Sequence, residues 1–124
     1  MLKLLLIAVG GAAGTLARYG TGTVLRDVSG RTGFPWGTLA VNLIGCFVIG
    51  YLSSLFLERM VVRSEYQLML TVGFLGGYTT FSTFGLETAN LLNNRQYFFF
   101  AANLLLSNVL GIALVIVGLK LGRR

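Results

Sequence analysis

Three stretches of this chain, residues 32–57, 66–86 and 96–119, contain no Asp, Glu, Lys or Arg. At roughly 1.5 Å per helical residue, each is long enough to cross a hydrocarbon core of about 30 Å. A fourth stretch, from Leu4 to about Leu25, is interrupted only by Arg18. A bilayer core offers no water to unpaired backbone groups, so apolar runs of this length fold as helices that close their hydrogen bonds internally. The chain therefore reads as an all-α membrane protein, one domain over residues 1–124 with four transmembrane helices. Only 11% of the residues are charged, against about 25% in a soluble domain.

The first helix is expected over Leu2 to Leu25, followed by the connector RDVSGRTGFPWG with the only proline. Trp36 suits the aromatic belt at the membrane surface, and the second helix runs from there to Leu57. ERMVVRSEY is a polar turn, the third helix covers Gln67 to Leu92, LLNNRQ turns again, and the fourth helix takes Tyr97 to Leu121. The start, MLKLLLIAVGGAAG, has the plan of a signal peptide. Cleavage would leave three spans and remove the Gly10–Gly14 packing face, so the first helix is read as retained. Small residues also recur four apart at Gly73/Gly77, Ser107/Gly111 and Gly118/Gly122. Such pairs let backbones approach closely, within a chain or between copies.

Charge and residue chemistry exclude whole classes of function. The net charge of +6 would suggest nucleic acid in a soluble protein, but here the cations flank the spans and the partner is the lipid bilayer. There is no histidine and one cysteine, Cys46. That excludes an intrachain disulfide and zinc-type clusters, and it removes the commonest general acid–base group. No serine has a base to activate it, so the chain is not read as an enzyme. Four crossings place Lys3, Arg59, Arg63, Lys120, Arg123 and Arg124 on one side, and Arg18, Arg26, Arg31 and Arg95 on the other. Six against four is a feeble positive-inside bias, and a chain with so little preference is expected to insert both ways round.

Polar groups inside a membrane face a neighbour or a water-filled path. The second helix carries Asn42 in GTLAVNLIG, where the plain alternative is a bond that glues helices together. The fourth carries Asn103, Ser107 and Gly111 on one stripe, with Asn108 off it. The third carries GGYTTFSTFGLE at 76–87, with Thr80, Ser82, Thr83 and Glu87 among two phenylalanines, Phe81 and Phe84, one helical turn apart. Hydroxyls and the asparagine amide donate hydrogen bonds, and a phenyl edge is positive. This interior chemistry favours a small anion, with Arg18 as an attraction at an entrance or simply a snorkelling side chain. A helix break near Gly76–Thr79 would free backbone carbonyls, and oxygen-only ligation suits a hard cation. Glu87 is either a water-facing charge at the helix end or a group that senses the anion at the exit.

The segments GGAAGTLARY, FPWGTLAVNLIGCFVIGY and GFLGGYTTFSTFGLE resemble the small dual-topology fluoride channel family, often called Fluc, over nearly the whole chain. The resemblance implies a third helix broken near its middle and an antiparallel, dual-topology homodimer with two fluoride pathways at the subunit interface. It implies that the rings of Phe81 and Phe84 contact the ion, with Asn42 bonding nearby and Thr80 and Ser82 shaping the path, Thr83 following in the same motif. It puts Arg18 in the vestibule and a polar track at Asn103 and Ser107. Asn103 stands where some members have an aromatic hydroxyl, and the track runs into apolar Val115. The carbonyls of Gly76 and Thr79 from two copies would hold a structural sodium ion. The implied activity is passive fluoride efflux from the cell and hence resistance to fluoride, by a multi-pass protein of the plasma membrane, the inner membrane in bacteria. The competing reading is a proton-coupled small multidrug exporter of organic cations. That mechanism needs a carboxylate in the first helix, which has none.

Overall fold

Apolar, charge-poor sequence dictates helix throughout, and the computed structural model, which describes residues 1–59 and 62–123, is all-helical among them. Helix α1 spans Leu2–Val24, α2 Arg26–Thr32 and α3 Trp36–Arg59. Next comes α4, Ser64–Leu68, which runs into a π-helical segment, Met69–Leu75, and a single turn, α5, Gly76–Tyr78. Beyond a two-residue link lies α6, Phe81–Asn93, then α7, Tyr97–Leu105, a second π-helical segment, Leu106–Leu110, and α8, Gly111–Gly122. Three helical stretches are long and apolar enough to cross a membrane, namely Leu2–Val24, Trp36–Leu57 and Tyr97–Gly122. The turn expected at 58–66 falls at Met60 and Val61 outside the described residues, as does Arg124 of the charge tally.

The connector after α1 is more ordered than its glycines suggest, because residues 26–32 wind into α2. Gly33 ends that helix at φ 73°, a left-handed conformation that glycine adopts without steric cost. Pro35 then precedes α3, where a missing backbone N–H costs nothing and its carbonyl accepts from Leu39 N at 3.1 Å. At the other end of the molecule's third stretch, Arg95 turns the chain from α6 into α7 at φ 59°.

Glycine stripes set how closely the helices pack. Against α1 lies the Met69–Leu75 segment, and against α3 lies α8. A Cβ on Gly10 or Gly14 would run into the carbonyls of Met69 or Phe74, and one on Gly77 into that of Gly11. On the other seam, a Cβ on Gly118 would meet the Phe47 carbonyl, and one on Gly122 would come within 2.6 Å of the Tyr51 carbonyl. Three of the four small-residue pairs are thus spent on packing inside one chain.

Candidate functional site

The site grows from the link between α5 and α6. Thr79 has φ −83° and ψ 160°, and Thr80 has φ −152° and ψ 119°, so both are extended where a helix would continue. The Thr79 N–H still reaches the Leu75 carbonyl at 2.9 Å, but the Thr79 carbonyl and the Thr80 N–H are no longer served by a helix ladder. Here side chains serve them. The Asn42 amide, from α3, donates through Nδ2 to the Thr80 carbonyl at 3.0 Å and accepts from Thr80 N at 2.8 Å. From α1, Arg18 Nη1 donates to the Thr79 carbonyl at 3.2 Å. The Thr79 hydroxyl bonds back to the Leu75 carbonyl at 2.9 Å.

Thr80 then starts α6. Its hydroxyl oxygen accepts from Thr83 N at 3.3 Å and donates to the Thr83 hydroxyl at 3.0 Å, a side-chain cap of the usual N-terminal kind. The Ser82 hydroxyl lies 3.4 Å from that of Thr80. The cap fixes the first turn, from which Phe81 and Phe84 project with ring centroids 5.7 Å apart. A cavity of about 410 Å³ opens beside them, lined by Asn42, Gly76, Thr79, Thr80, both phenylalanines and Ser107, among others. The Ser107 hydroxyl is buried and has no hydrogen-bond partner among the described residues. Buried hydroxyls normally have one, so this cavity wall carries a spare donor.

Other residues singled out in the sequence stand apart from that cavity. Asn103 is 1% exposed, and its Nδ2 donates at 2.8 Å to Thr88 Oγ1, which donates in turn to the Phe84 carbonyl at 2.6 Å. It ties α7 to α6 beneath Phe84 and does not line the space above. Asn108 does border the cavity, while its amide also bonds the Leu104 carbonyl one turn back at 2.7 Å. Glu87 belongs to a second cavity of about 340 Å³, bounded by Ser29, Phe34, Asn90, Asn94 and Gln96. Thr38 donates to its Oε1 at 2.9 Å, and Oε2 is buried with no partner among the described residues. Thr38 and Thr88 escaped notice in the sequence. Thr38 sits one helical turn before Asn42, and that spacing was the available signal.

Two backbone carbonyls border the link on its helical side. Because Thr80 N–H turns to Asn42, the Gly76 carbonyl loses its ordinary donor four residues on. Thr79 O spends one lone pair on Arg18 and keeps the other. No group of three or more His, Cys, Asp or Glu that could hold a metal occurs among the described residues, and the oxygens beside the link are backbone carbonyls, hydroxyls and the Asn42 amide. Such a set fits a hard cation, although two carbonyls are too few to surround one.

Comparison with known proteins adds the rest. The family model described as CrcB-like protein, Camphor Resistance (CrcB), matches residues 5–119. A protein of Solidesulfovibrio magneticus named fluoride-specific ion channel FluC is 48% identical over 121 residues, covering 98% of this chain and 96% of the relative. One of the same name from Geobacter sulfurreducens is 47% identical over 118 residues, covering 95% and 91%. A third, from Methylococcus capsulatus, is 48% identical over 123 residues, and this chain, matched over 99% of its length, spans 54% of that longer relative.

Proposed function

The chain belongs to the CrcB-like family, and from that premise we infer that it is a fluoride-specific ion channel, a multi-pass protein of the plasma membrane that lets fluoride leave the cell. The membership sets aside the multidrug exporter. The observation that carries the reading is the juxtaposition at the Thr79–Thr80 link: a cavity bordered by Phe81, Phe84, Asn42 and Ser107, whose buried hydroxyl has no partner among the described residues.

Fluoride is small and holds its water tightly, so its passage requires donors that take the place of that water. Asn42 spends one amide hydrogen on Thr80 and keeps a second. Ser107 supplies a hydroxyl, and ring edges of Phe81 and Phe84 present weak positive charge. Larger halides are disfavoured by narrowness and by poorer hydrogen bonding, the balance of desolvation against weak, multiple sites that selectivity demands. Transport is passive. An interior-negative membrane drives the anion outward by about 2.3 kcal/mol per charge per 100 mV.

In this reading residues 64–93 form a fourth crossing, a third span broken at Thr79–Thr80. Two copies lie antiparallel, with an ion path at each of two equivalent seams. The weak charge asymmetry supports insertion in both orientations, and the exposed ring of Phe81 supports a neighbour covering it. At the seam, Gly76 and Thr79 carbonyls from both copies would hold a sodium ion, which would supply positive charge between the two broken spans. Ser82 and Thr83 border the same turn, Arg18 lies at the vestibule side, and Asn103 acts from beneath by holding α7 to α6. The test is efflux of fluoride against chloride from liposomes containing the purified protein.

A further inference from the structure

Resting on the channel reading above, we infer that Asn42 and Arg18 are positioning residues. Together they clamp the Thr79–Thr80 link in its extended form, and so fix where Phe81 and Phe84 stand before any ion arrives.

A carboxamide sets an NH2 donor and a carbonyl acceptor side by side in a plane. Those two groups meet the carbonyl and the N–H of one residue, Thr80, at 3.0 and 2.8 Å. The amide does for Thr80 what a neighbouring strand would do in a sheet. Pairing of this kind also fixes which way the amide faces, because its nitrogen must oppose the Thr80 carbonyl. Aspartate lacks the donor, and leucine lacks both groups.

Arg18 acts on the adjacent residue from the other side of the link, through the 3.2 Å bond to the Thr79 carbonyl. Its height along α1 is fixed by contacts on either side of it. One turn earlier, Gly14 lies against the Phe74 carbonyl and the Tyr78 nitrogen. Nearly one turn later, the Thr21 hydroxyl sits 3.3 Å from that of Tyr78. The guanidinium therefore reaches the link from a helix that cannot slide. Thr80, held at both backbone groups, uses its hydroxyl to cap α6. From Asn42 and Arg18 the geometry passes through Thr80 to the turn that bears both rings.

The test is amide hydrogen exchange at Thr80 in threonine-labelled protein, in fluoride-free buffer. Wild-type Thr80 N–H is expected to be protected. Asn42→Ala and Arg18→Met are each expected to speed its exchange by about tenfold or more, as the link opens locally. If Asn42 serves only as an ion ligand, Asn42→Ala leaves that rate unchanged when no fluoride is present. If Arg18 serves only by attraction, Arg18→Met leaves it unchanged and lowers flux by an amount that fades with salt. Either outcome overturns the clamp. Should a variant fail to fold, the wild-type protein decides through the scalar coupling across the Thr80 N–H to Asn42 Cγ bond: its presence supports the clamp and its absence overturns it. The exchange rates and the scalar coupling do not depend on conduction, so the clamp and the channel assignment can fail separately.

Discussion

Phe81 and Phe84 stand 5.7 Å apart with their planes at 46°, yet Phe81 is 83% exposed and Phe84 is 9% exposed. One ring of the pair is held by its own chain, and the other is offered outward. Phe81→Ile and Phe84→Ile are each expected to cut fluoride efflux at least about tenfold, equivalent to about 1.4 kcal/mol on the barrier. Stability separates the two positions. Phe84→Ala should cost about 3–5 kcal/mol as a buried aromatic truncation, and Phe81→Ala much less in the single chain. Liposome efflux and thermal unfolding in detergent measure the two effects.

Lipid tails or an inverted second copy can cover the exposed Phe81 ring, and the proposed dimer assigns that place to the copy. Cys46 is the only cysteine, so replacing it with alanine gives a clean background for engineered pairs. Crosslinks between cysteines near opposite ends of two chains are expected to form in membranes. Crosslinking confined to like ends would point to a parallel assembly and remove the dual-topology proposal.

Glycine substitutions should sort by what a Cβ would meet. At Gly14 it would run into the Phe74 carbonyl, and at Gly118 into the Phe47 carbonyl, whereas at Gly20 and Gly85 it would meet open space. Gly14→Ala and Gly118→Ala are expected to destabilise by about 1–3 kcal/mol, the usual cost of overpacking. Gly20→Ala and Gly85→Ala should unfold at or above the wild-type temperature, since alanine favours helix over glycine.

The buried pair Asn103–Thr88 offers a double-mutant test. Thr88→Val removes the acceptor at 2.8 Å and leaves the Asn103 amide unpaired, at a cost of about 1–3 kcal/mol. Adding Asn103→Leu should recover most of that loss, because the Asn103 amide is then no longer there to be left unpaired. Recovery of stability without recovery of flux would give Asn103 a role in the ion path as well.

Spans were legible where burial in lipid imposes one uniform demand. The charge-free runs at 32–57 and 96–119 correspond to α3 and to the stretch from α7 to α8. Residues 66–86 behave differently, because the threonines and glycines there serve a link and a cap, and helix is interrupted between Tyr78 and Phe81. Nothing in local propensity announces the π-helical segment at 69–75. It lies against α1, where Gly10 and Gly14 let the backbones touch, a consequence of tertiary packing. Helix α2 was hidden by Gly30 and Gly33, of which Gly33 marks its end. Within the site, residue types were readable and partners were not. Asn42 reads from the sequence as a donor inside the membrane, placed near the rings only by the family resemblance, and its match to both backbone groups of Thr80 depends on two elements 38 residues apart. The stripe of Asn103 and Ser107 split for a similar reason, one side chain turning to Thr88 and the other to the cavity.

The most direct measurement is ion efflux from liposomes reconstituted with the purified protein, read in parallel for fluoride and chloride. The account predicts rapid loss of fluoride with chloride retained. Equal leakage of both halides, or of neither, would contradict it.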